Sequence, residues 1–178
     1  LGHYKFLKQY LTLNRSQLFF ADKAILVEGD TERILLPAMM RKMDQADACA
    51  AWSSGQAPVL ALLSQNISVI EVGAHSHIYE IFLDFIGVKT LIITDIDSGK
   101  EEVVERVGKE PQMVVSAHPI DGATHTTNIA LRFYHGKGPE IAYFIGLTLA
   151  QKTVLKDGTT GKWGPHPDGR VMCVFQVA

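Results

Sequence analysis

The sequence has little cysteine, little net charge and no long apolar run. Cys49 and Cys173 are its two cysteines, and neither lies at metal-ligand spacing from a second ligand, which argues against a disulfide framework and a structural zinc site. The formal net charge of −2 argues against an overall basic field that attracts nucleic acid. The longest apolar stretch, residues 141–150, is too short to span a bilayer, and no signal peptide is visible. We therefore expect a cytoplasmic protein without a membrane partner.

The composition suits one globular domain with an attached segment. The 178 residues are 47% hydrophobic and 20% charged, which are ordinary values for a fold with a filled core. Residues 1–20 lack an initial methionine and carry apolar residues at helical spacing, so we expect a helical linker from an upstream domain. Residues 21–178 are expected to form the domain itself, cut at its C-terminus from a longer polypeptide.

Two short acidic stretches each follow directly on an apolar run. Residues 28–32 read Glu-Gly-Asp-Thr-Glu and follow the run at 24–27; residues 95–98 read Asp-Ile-Asp-Ser and follow the run at 90–94. Such apolar runs are typical of strands buried in a parallel sheet. Ligands of open α/β sheets bind at the carboxyl ends of the strands, so both stretches are predicted to lie at that edge.

The carboxylates of these stretches predict a divalent metal site. Glu28, Glu32, Asp95 and Asp97 supply only hard oxygen ligands, which suit Mg²⁺ or Mn²⁺. Three simpler interpretations stay open. Asp30 would be a helix N-cap, Glu32 a first-turn acid favoured by the helix dipole, and the two later aspartates turn residues.

The remaining pattern predicts an α/β fold. Strand, helix, strand, helix and strand alternate, which implies right-handed crossovers and a parallel sheet. The expected strands are residues 24–27, 67–72, 89–94, 112–116 and 171–177. The expected helices are residues 31–43, with an apolar stripe and a kink at Pro37, and residues 59–63, 78–86, 126–134 and 140–149. Residues 44–58 are weakly patterned with a loop at 53–58, and residues 152–169 predict a loop or loose hairpin.

Four blocks occur in a characteristic order. They are FFADKAILVEGDTERILLP at 19–37, ISVIEVG at 67–73, LIITDIDS at 91–98 and TTN at 126–128. With these blocks the chain resembles the Toprim domain of the OLD (overcoming lysogenization defect) family of ATP-dependent endonucleases. The resemblance implies a Rossmann-like parallel sheet of about four strands flanked by helices, with an irregular C-terminal insertion.

The resemblance also implies an activity and its partners. It implies hydrolysis or nicking of DNA with two Mg²⁺ or Mn²⁺ ions held by Glu28, Glu32, Asp95 and Asp97, with Glu28 also managing protons. It further implies an upstream ABC-type ATPase domain, through which ATP acts, and a homodimer is a further expectation. Ala74 replaces a second glycine of the family. The family's next acidic ligand and basic residue lie beyond this sequence, so we expect residues 1–178 alone to hold one ion weakly and nick DNA poorly.

Two other functions stay open at this stage. A haloacid-dehalogenase-like phosphatase also uses an Asp-x-Asp motif, although it expects that motif after its first strand. A non-catalytic Toprim module would serve only assembly. Five further residues are interpreted mainly as solvated surface, with phosphate or metal contact as the alternative: His75, His77, Lys100, Arg132 and Lys137.

Overall fold

The computed structural model describes residues 16–104 and 110–176. Most of the predicted N-terminal linker and the last residue of the final predicted strand therefore lie outside the described residues. Ser16–Phe20 form a 3₁₀ helix. The chain divides into two compact units. The first comprises the chain up to Gly73 together with Glu80–Leu91, and the second comprises Ala74–Tyr79 together with Ile92–Ala178.

Two parallel strands form the centre of the first unit. Strand β1 (Lys23–Val27) pairs with β2 (Ile67–Glu71), with Lys23 opposite Ile67 and Val27 opposite Glu71. All four residues from Ala24 to Val27 are buried, as expected for a strand covered on both faces. The predicted strands and their parallel pairing are confirmed here.

Helix α1 (Asp30–Ser54) is much longer than predicted. It continues through residues 44–54, where the sequence pattern predicted an irregular segment. Four alanines in this stretch explain the extension, because alanine has the highest helix propensity. The helix ends at Gly55, whose φ of 66° gives the left-handed conformation of a helix C-cap. The predicted loop is thus shorter and begins at this glycine.

The apolar stripe of α1 is exposed, whereas the spacing predicted a buried face. Met40 is the helix's buried residue, and the residues left exposed are Ile34, Leu35, Met39 and Met43. Polar contacts attach the helix to its own unit instead. The carboxylate of Asp44 accepts hydrogen bonds from the amides of Leu62 and Leu63 at 2.6 and 3.1 Å, at the start of the 3₁₀ helix Leu62–Ser64.

Helix α2 (Glu80–Ile86) follows a 3₁₀ segment at Gly73–Tyr79. It buries Phe82 and Leu83, whereas Ile81 and Phe85 are exposed. The edge of the Phe19 ring contacts the Phe82 ring, with centroids 5.0 Å apart. The helix ends as predicted before Gly87.

Strand β3 (Lys89–Asp95) runs from the first unit into the second. After it comes an antiparallel sheet of β4 (Ser98–Val104), β5 (Gln112–Ala117) and β6 (His125–Thr126), in the order β5-β4-β6. Strand β5 was predicted, but β4 was not. Its sequence, Ser-Gly-Lys-Glu-Glu-Val-Val, lacks apolar alternation because most of its side chains are solvated.

The rest of the second unit packs two short helices with an antiparallel sheet. The helices are α3 (Ile129–His135) and α4 (Ile141–Ile145), both shorter than predicted. Strands β7 (Thr153–Lys156), β8 (Trp163–Pro165) and β9 (Val171–Gln176) follow, in the order β9-β7-β8. The predicted loose hairpin is therefore the β7–β8 hairpin.

The core of the second unit includes Leu131, Tyr134, Phe144, Val154 and Cys173, all of which are fully buried. Burial raises the pKa of the Cys173 thiol, which packs as a small apolar residue of this core. The α/β class is confirmed by the elements of both units. Among the residues that the structure describes, no helix has the length and apolar character needed to cross a membrane.

Candidate functional site

The first acidic stretch joins the end of β1 to the start of α1. Glu28 and Glu32 are both half-buried, and Gly29 is the N-cap of the helix. The Glu32 carboxylate accepts a hydrogen bond from the Gly29 amide at 3.0 Å, which is the reciprocal contact of a capping box. Glu32 thus lies in the first turn of the helix, as its simpler interpretation expected, and it also caps the Gly29 amide, which was not predicted.

Asp30 is the first helical residue and not the N-cap. Its carboxylate forms an ion pair with the Arg33 guanidinium at 2.6 Å. The hydrogen bond and the positive charge of Arg33 lower the pKa of Asp30. Arg33 also lies 3.9 Å from the carboxylate of Glu71, the last residue of β2. Arg33 thus joins the start of α1 to the carboxyl end of β2.

The second acidic stretch lies in the other unit, at the carboxyl end of β3. Asp95 is the last residue of the strand and is exposed, Ile96 is buried, and Asp97 is half-buried. Asp97 has a φ of 48°. This left-handed conformation is uncommon for any residue with a Cβ, although aspartate and asparagine adopt it more readily than most. The turn between β3 and β4 therefore holds an aspartate in an unusual backbone conformation.

Three consecutive residues hold the main chain of this turn. The Asn128 side-chain amide donates to the Asp95 carbonyl at 2.8 Å, and the Thr127 amide donates to the Asp97 carbonyl at 2.9 Å. Between them, the Thr126 hydroxyl donates to the carbonyl of Ile96. Each main-chain carbonyl from 95 to 97 thus has a donor from residues 126–128. We call these three donors the Thr-Thr-Asn clamp.

Two of the three clamp residues are buried, whereas Thr127 is exposed. Asn128 is 2% exposed and Thr126 is 1% exposed. The Asn128 amide nitrogen also donates to the Thr94 hydroxyl at 2.8 Å, while its oxygen accepts from the Leu131 amide at 2.9 Å as the N-cap of α3. The Thr126 hydroxyl also accepts a hydrogen bond from the main-chain amide of Asn128 at 3.1 Å. Because the side chains of Thr126 and Asn128 are buried and hydrogen-bonded, they can impose one conformation on the turn.

The structure brings the predicted site residues together only in part. Asp95 and Asp97 share one turn in the second unit, and Glu28 and Glu32 share one helix entry in the first. Glu28, Asp95 and Asp97 lie at the carboxyl end of a strand, as predicted, and Glu32 follows Glu28 in the first turn of α1. Their carboxylate oxygens are the donors that Mg²⁺ and Mn²⁺ prefer. Among the described residues, no three His, Cys, Asp or Glu side chains form a group that is ready to hold a metal ion.

The histidines after β2 pack within their own unit. The His77 ring lies 5.8 Å from that of His75 and 5.7 Å from that of Phe133, measured between centroids. Burial, followed by the nearby His75, lowers the pKa of His77. The Tyr134 hydroxyl donates to the main-chain carbonyl of Ser76 at 3.2 Å. These contacts favour packing as the role of the pair.

The three basic residues that were interpreted mainly as solvated surface, with phosphate contact as the alternative, do lie on the surface. Lys100, Arg132 and Lys137 are exposed, and the Lys137 ammonium lies 5.2 Å from the Tyr143 ring centroid. The position of the Asp-x-Asp motif after β3, and not after β1, argues against the phosphatase interpretation. The contacts of the clamp were not predicted from the sequence. Asparagine directly before an apolar helix is an N-cap signal that marks Asn128.

Comparison with known proteins defines the class. Residues 19–97, which contain both acidic stretches, match the family described as "overcoming lysogenization defect protein-like, TOPRIM domain". Residues 19–97 thus form an OLD-like Toprim domain, and the predicted family is confirmed. A curated relative is Endonuclease GajA of Bacillus cereus (strain HuB5-5), which is 30% identical over 132 residues. That alignment covers 74% of this chain and 16% of GajA. No solved structure matches the chain.

Proposed function

We propose that this chain is the metal-dependent DNA-nicking domain of an OLD-family endonuclease. Glu28, Glu32, Asp95 and Asp97 hold two Mg²⁺ or Mn²⁺ ions in the complete site, and an upstream ATPase domain couples ATP to the activity. The name of the relative, an endonuclease, supports cleavage of a nucleic acid, and the resemblance to the OLD family favours DNA as the substrate. The family match over residues 19–97 supports the choice of acidic residues, because it contains all four.

The clamped Asp-x-Asp turn is the observation that supports the proposal most directly. Two buried side chains and one main-chain amide donate to three successive carbonyls of this turn. A turn that serves only to end a strand does not need all three of these hydrogen bonds. The clamp fixes the main chain of Asp95 and Asp97 while their side chains leave from the carboxyl end of β3. Rigid placement of ligands before a metal arrives is what a metal site requires.

Each acidic residue has a defined task in this proposal. Asp95 and Asp97 supply oxygen ligands from one turn, and Glu28 supplies a third from the end of β1 and takes part in proton transfer. Glu32 binds from the first turn of α1, where its carboxylate also caps Gly29. Divalent ions, when bound, stabilise the attacking and leaving oxygens of an in-line displacement at phosphorus.

A plasmid-nicking assay tests the proposal. The full-length protein that contains this chain is incubated with supercoiled plasmid and Mn²⁺, and parallel reactions contain EDTA. We expect open-circular product only with the metal. An Asp97→Asn variant should lose the product, because asparagine tolerates the same backbone conformation but removes the charge. The matched control is Asp121→Asn, which changes an exposed aspartate and should nick normally. Nicking that persists in EDTA would contradict the proposal.

A further inference from the structure

We propose that the Thr-Thr-Asn clamp sets the metal affinity of the Asp95–Asp97 turn by fixing its main chain before any metal binds. This inference rests on the proposed function and assigns a positioning role to residues that touch no substrate. Thr126 and Asn128 are its centre, because both are buried and both donate to the turn.

The backbone of Asp97 supplies the physical reason. An L-residue with a φ of 48° returns to negative φ when nothing prevents it, because its Cβ crowds the following carbonyl oxygen. Such a change would point the Asp97 side chain in another direction. The clamp opposes it by holding the carbonyls on both sides of Asp97, those of Ile96 and of Asp97 itself.

Distance along the chain makes the clamp a specific device. The Thr126 and Asn128 side chains reach back 30 and 33 residues to the turn, so no local turn rule accounts for the contact. The same Asn128 side chain begins helix α3, which ties the turn to a packed element of the second unit. Mg²⁺ demands near-ideal octahedral geometry, so ligands on a loose turn would bind it weakly.

The decisive variants remove or keep the Thr126 hydroxyl. Thr126→Val keeps the shape of the side chain. It removes the hydrogen bond to the main-chain carbonyl of Ile96 and the hydrogen bond from the main-chain amide of Asn128. Thr126→Ser keeps the hydroxyl. Thr90→Val is the matched control, because Thr90 is also buried and its hydroxyl also donates to a main-chain carbonyl, that of Val88 at 3.2 Å. Asn128→Ser, which retains an N-cap, replaces Thr126→Val if the latter does not fold.

Mn²⁺ affinity is measured by electron paramagnetic resonance on the full-length protein without DNA. We expect the Kd of Thr126→Val to rise about tenfold or more, the usual effect of removing a group that orients a ligand. Thr126→Ser should restore the affinity. Thr90→Val should bind Mn²⁺ as the unaltered protein does, although its thermal stability should fall by about as much as that of Thr126→Val. Unchanged affinity in Thr126→Val, or an equal loss in Thr90→Val, would overturn the proposal.

A second measurement separates this inference from the proposed function. Amide hydrogen exchange of Thr127, whose N–H donates to Asp97, is followed in the metal-free protein. We expect roughly tenfold faster exchange in Thr126→Val and no change in Thr90→Val, since one supporting hydrogen bond is lost. Unchanged exchange would refute the clamp. If the unaltered protein binds no Mn²⁺, the proposed function fails, and the exchange result still decides whether the clamp fixes the turn.

Discussion

The side-chain amide of Asn128 lies 2.8 Å from the main-chain carbonyl oxygen of Asp95 and donates a hydrogen bond to it. The oxygen of the same amide caps helix α3. One buried side chain therefore fixes both the end of β3 and the start of a helix that follows much later in the chain. The acidic turn is held by the fold of its own unit, independently of any bound ion.

The conformation of Asp97 gives a prediction about stability. At a φ of 48°, alanine should be less tolerated than asparagine, because only the latter's short polar side chain stabilises the left-handed region. We expect Asp97→Ala to unfold with a free energy about 1 kcal/mol lower than that of Asp97→Asn. Urea unfolding of the two variants measures this difference. Equal stabilities would show that the turn relaxes once the carboxylate is removed.

Glu32 should contribute to stability as well as to the proposed site. Glu32→Ala removes the bond to the Gly29 amide and should lower the free energy of unfolding by about 1 kcal/mol, the typical loss for a helix cap. Glu32→Gln retains an acceptor and should be near the unaltered protein in stability. Urea unfolding checks both values, with the exposed Asp47→Ala on the same helix as the control.

The Gln variant also separates the two roles of Glu32. Its side chain can still cap the helix but has lost the negative charge that a metal ligand needs. We therefore expect weaker Mn²⁺ binding in Glu32→Gln with little loss of stability. Full Mn²⁺ affinity in that variant would confine Glu32 to the capping role.

His135 predicts a pH dependence of stability. Its ring is buried against Tyr143 and Phe144, and neither ring nitrogen has a hydrogen-bond partner among the described residues. Burial, followed by the charge of Lys152, lowers the pKa of His135 to about 4 from an ordinary value of 6.5. Between pH 6.5 and pH 4, His135 binds a proton in the unfolded chain but stays neutral in the folded chain. The stability contribution is therefore present above pH 6.5 and is lost as the pH falls toward 4.

Urea unfolding at pH 7 and pH 5 tests this dependence. The free energy of unfolding should fall between the two, and His135→Leu should reduce that fall because it removes the titrating ring. The control is His166→Leu, which changes an exposed histidine and should keep the original dependence. An identical fall in His135→Leu and the unaltered protein would assign the dependence to other groups.

Local pattern was enough to predict the strands that carry the acidic residues. Strands β1, β2 and β3 are short apolar runs with clear boundaries, and each lies within a residue or two of its predicted range. Polar segments were harder to predict. The sequence of strand β4 does not alternate between apolar and polar residues. The second half of α1 has no apolar stripe, and its helical state is explained by alanine propensity.

The order of the elements was predictable, but their tertiary contacts were not. Spacing identified the apolar stripe of α1, but it cannot say whether a partner covers that face, and the stripe is exposed. Likewise, residues 126–128 were noticed as a sequence block, whereas their bonds to the turn span 30 residues or more of chain. Periodicity is a local property, so it carries no information about contacts of that range.

The most direct test of the account is the nicking activity of Asp95→Asn. Asp95 ends β3, and its main-chain carbonyl remains bound to Asn128 whatever its side chain carries. The variant should therefore fold normally, which circular dichroism and urea unfolding can verify, while it loses the negative charge that the proposed function assigns to a metal ligand. In the full-length protein with Mn²⁺ and supercoiled plasmid, we predict that Asp95→Asn gives no open-circular product under conditions where the unaltered protein nicks completely. A folded Asp95→Asn protein that nicks at the unaltered rate would contradict the proposed site.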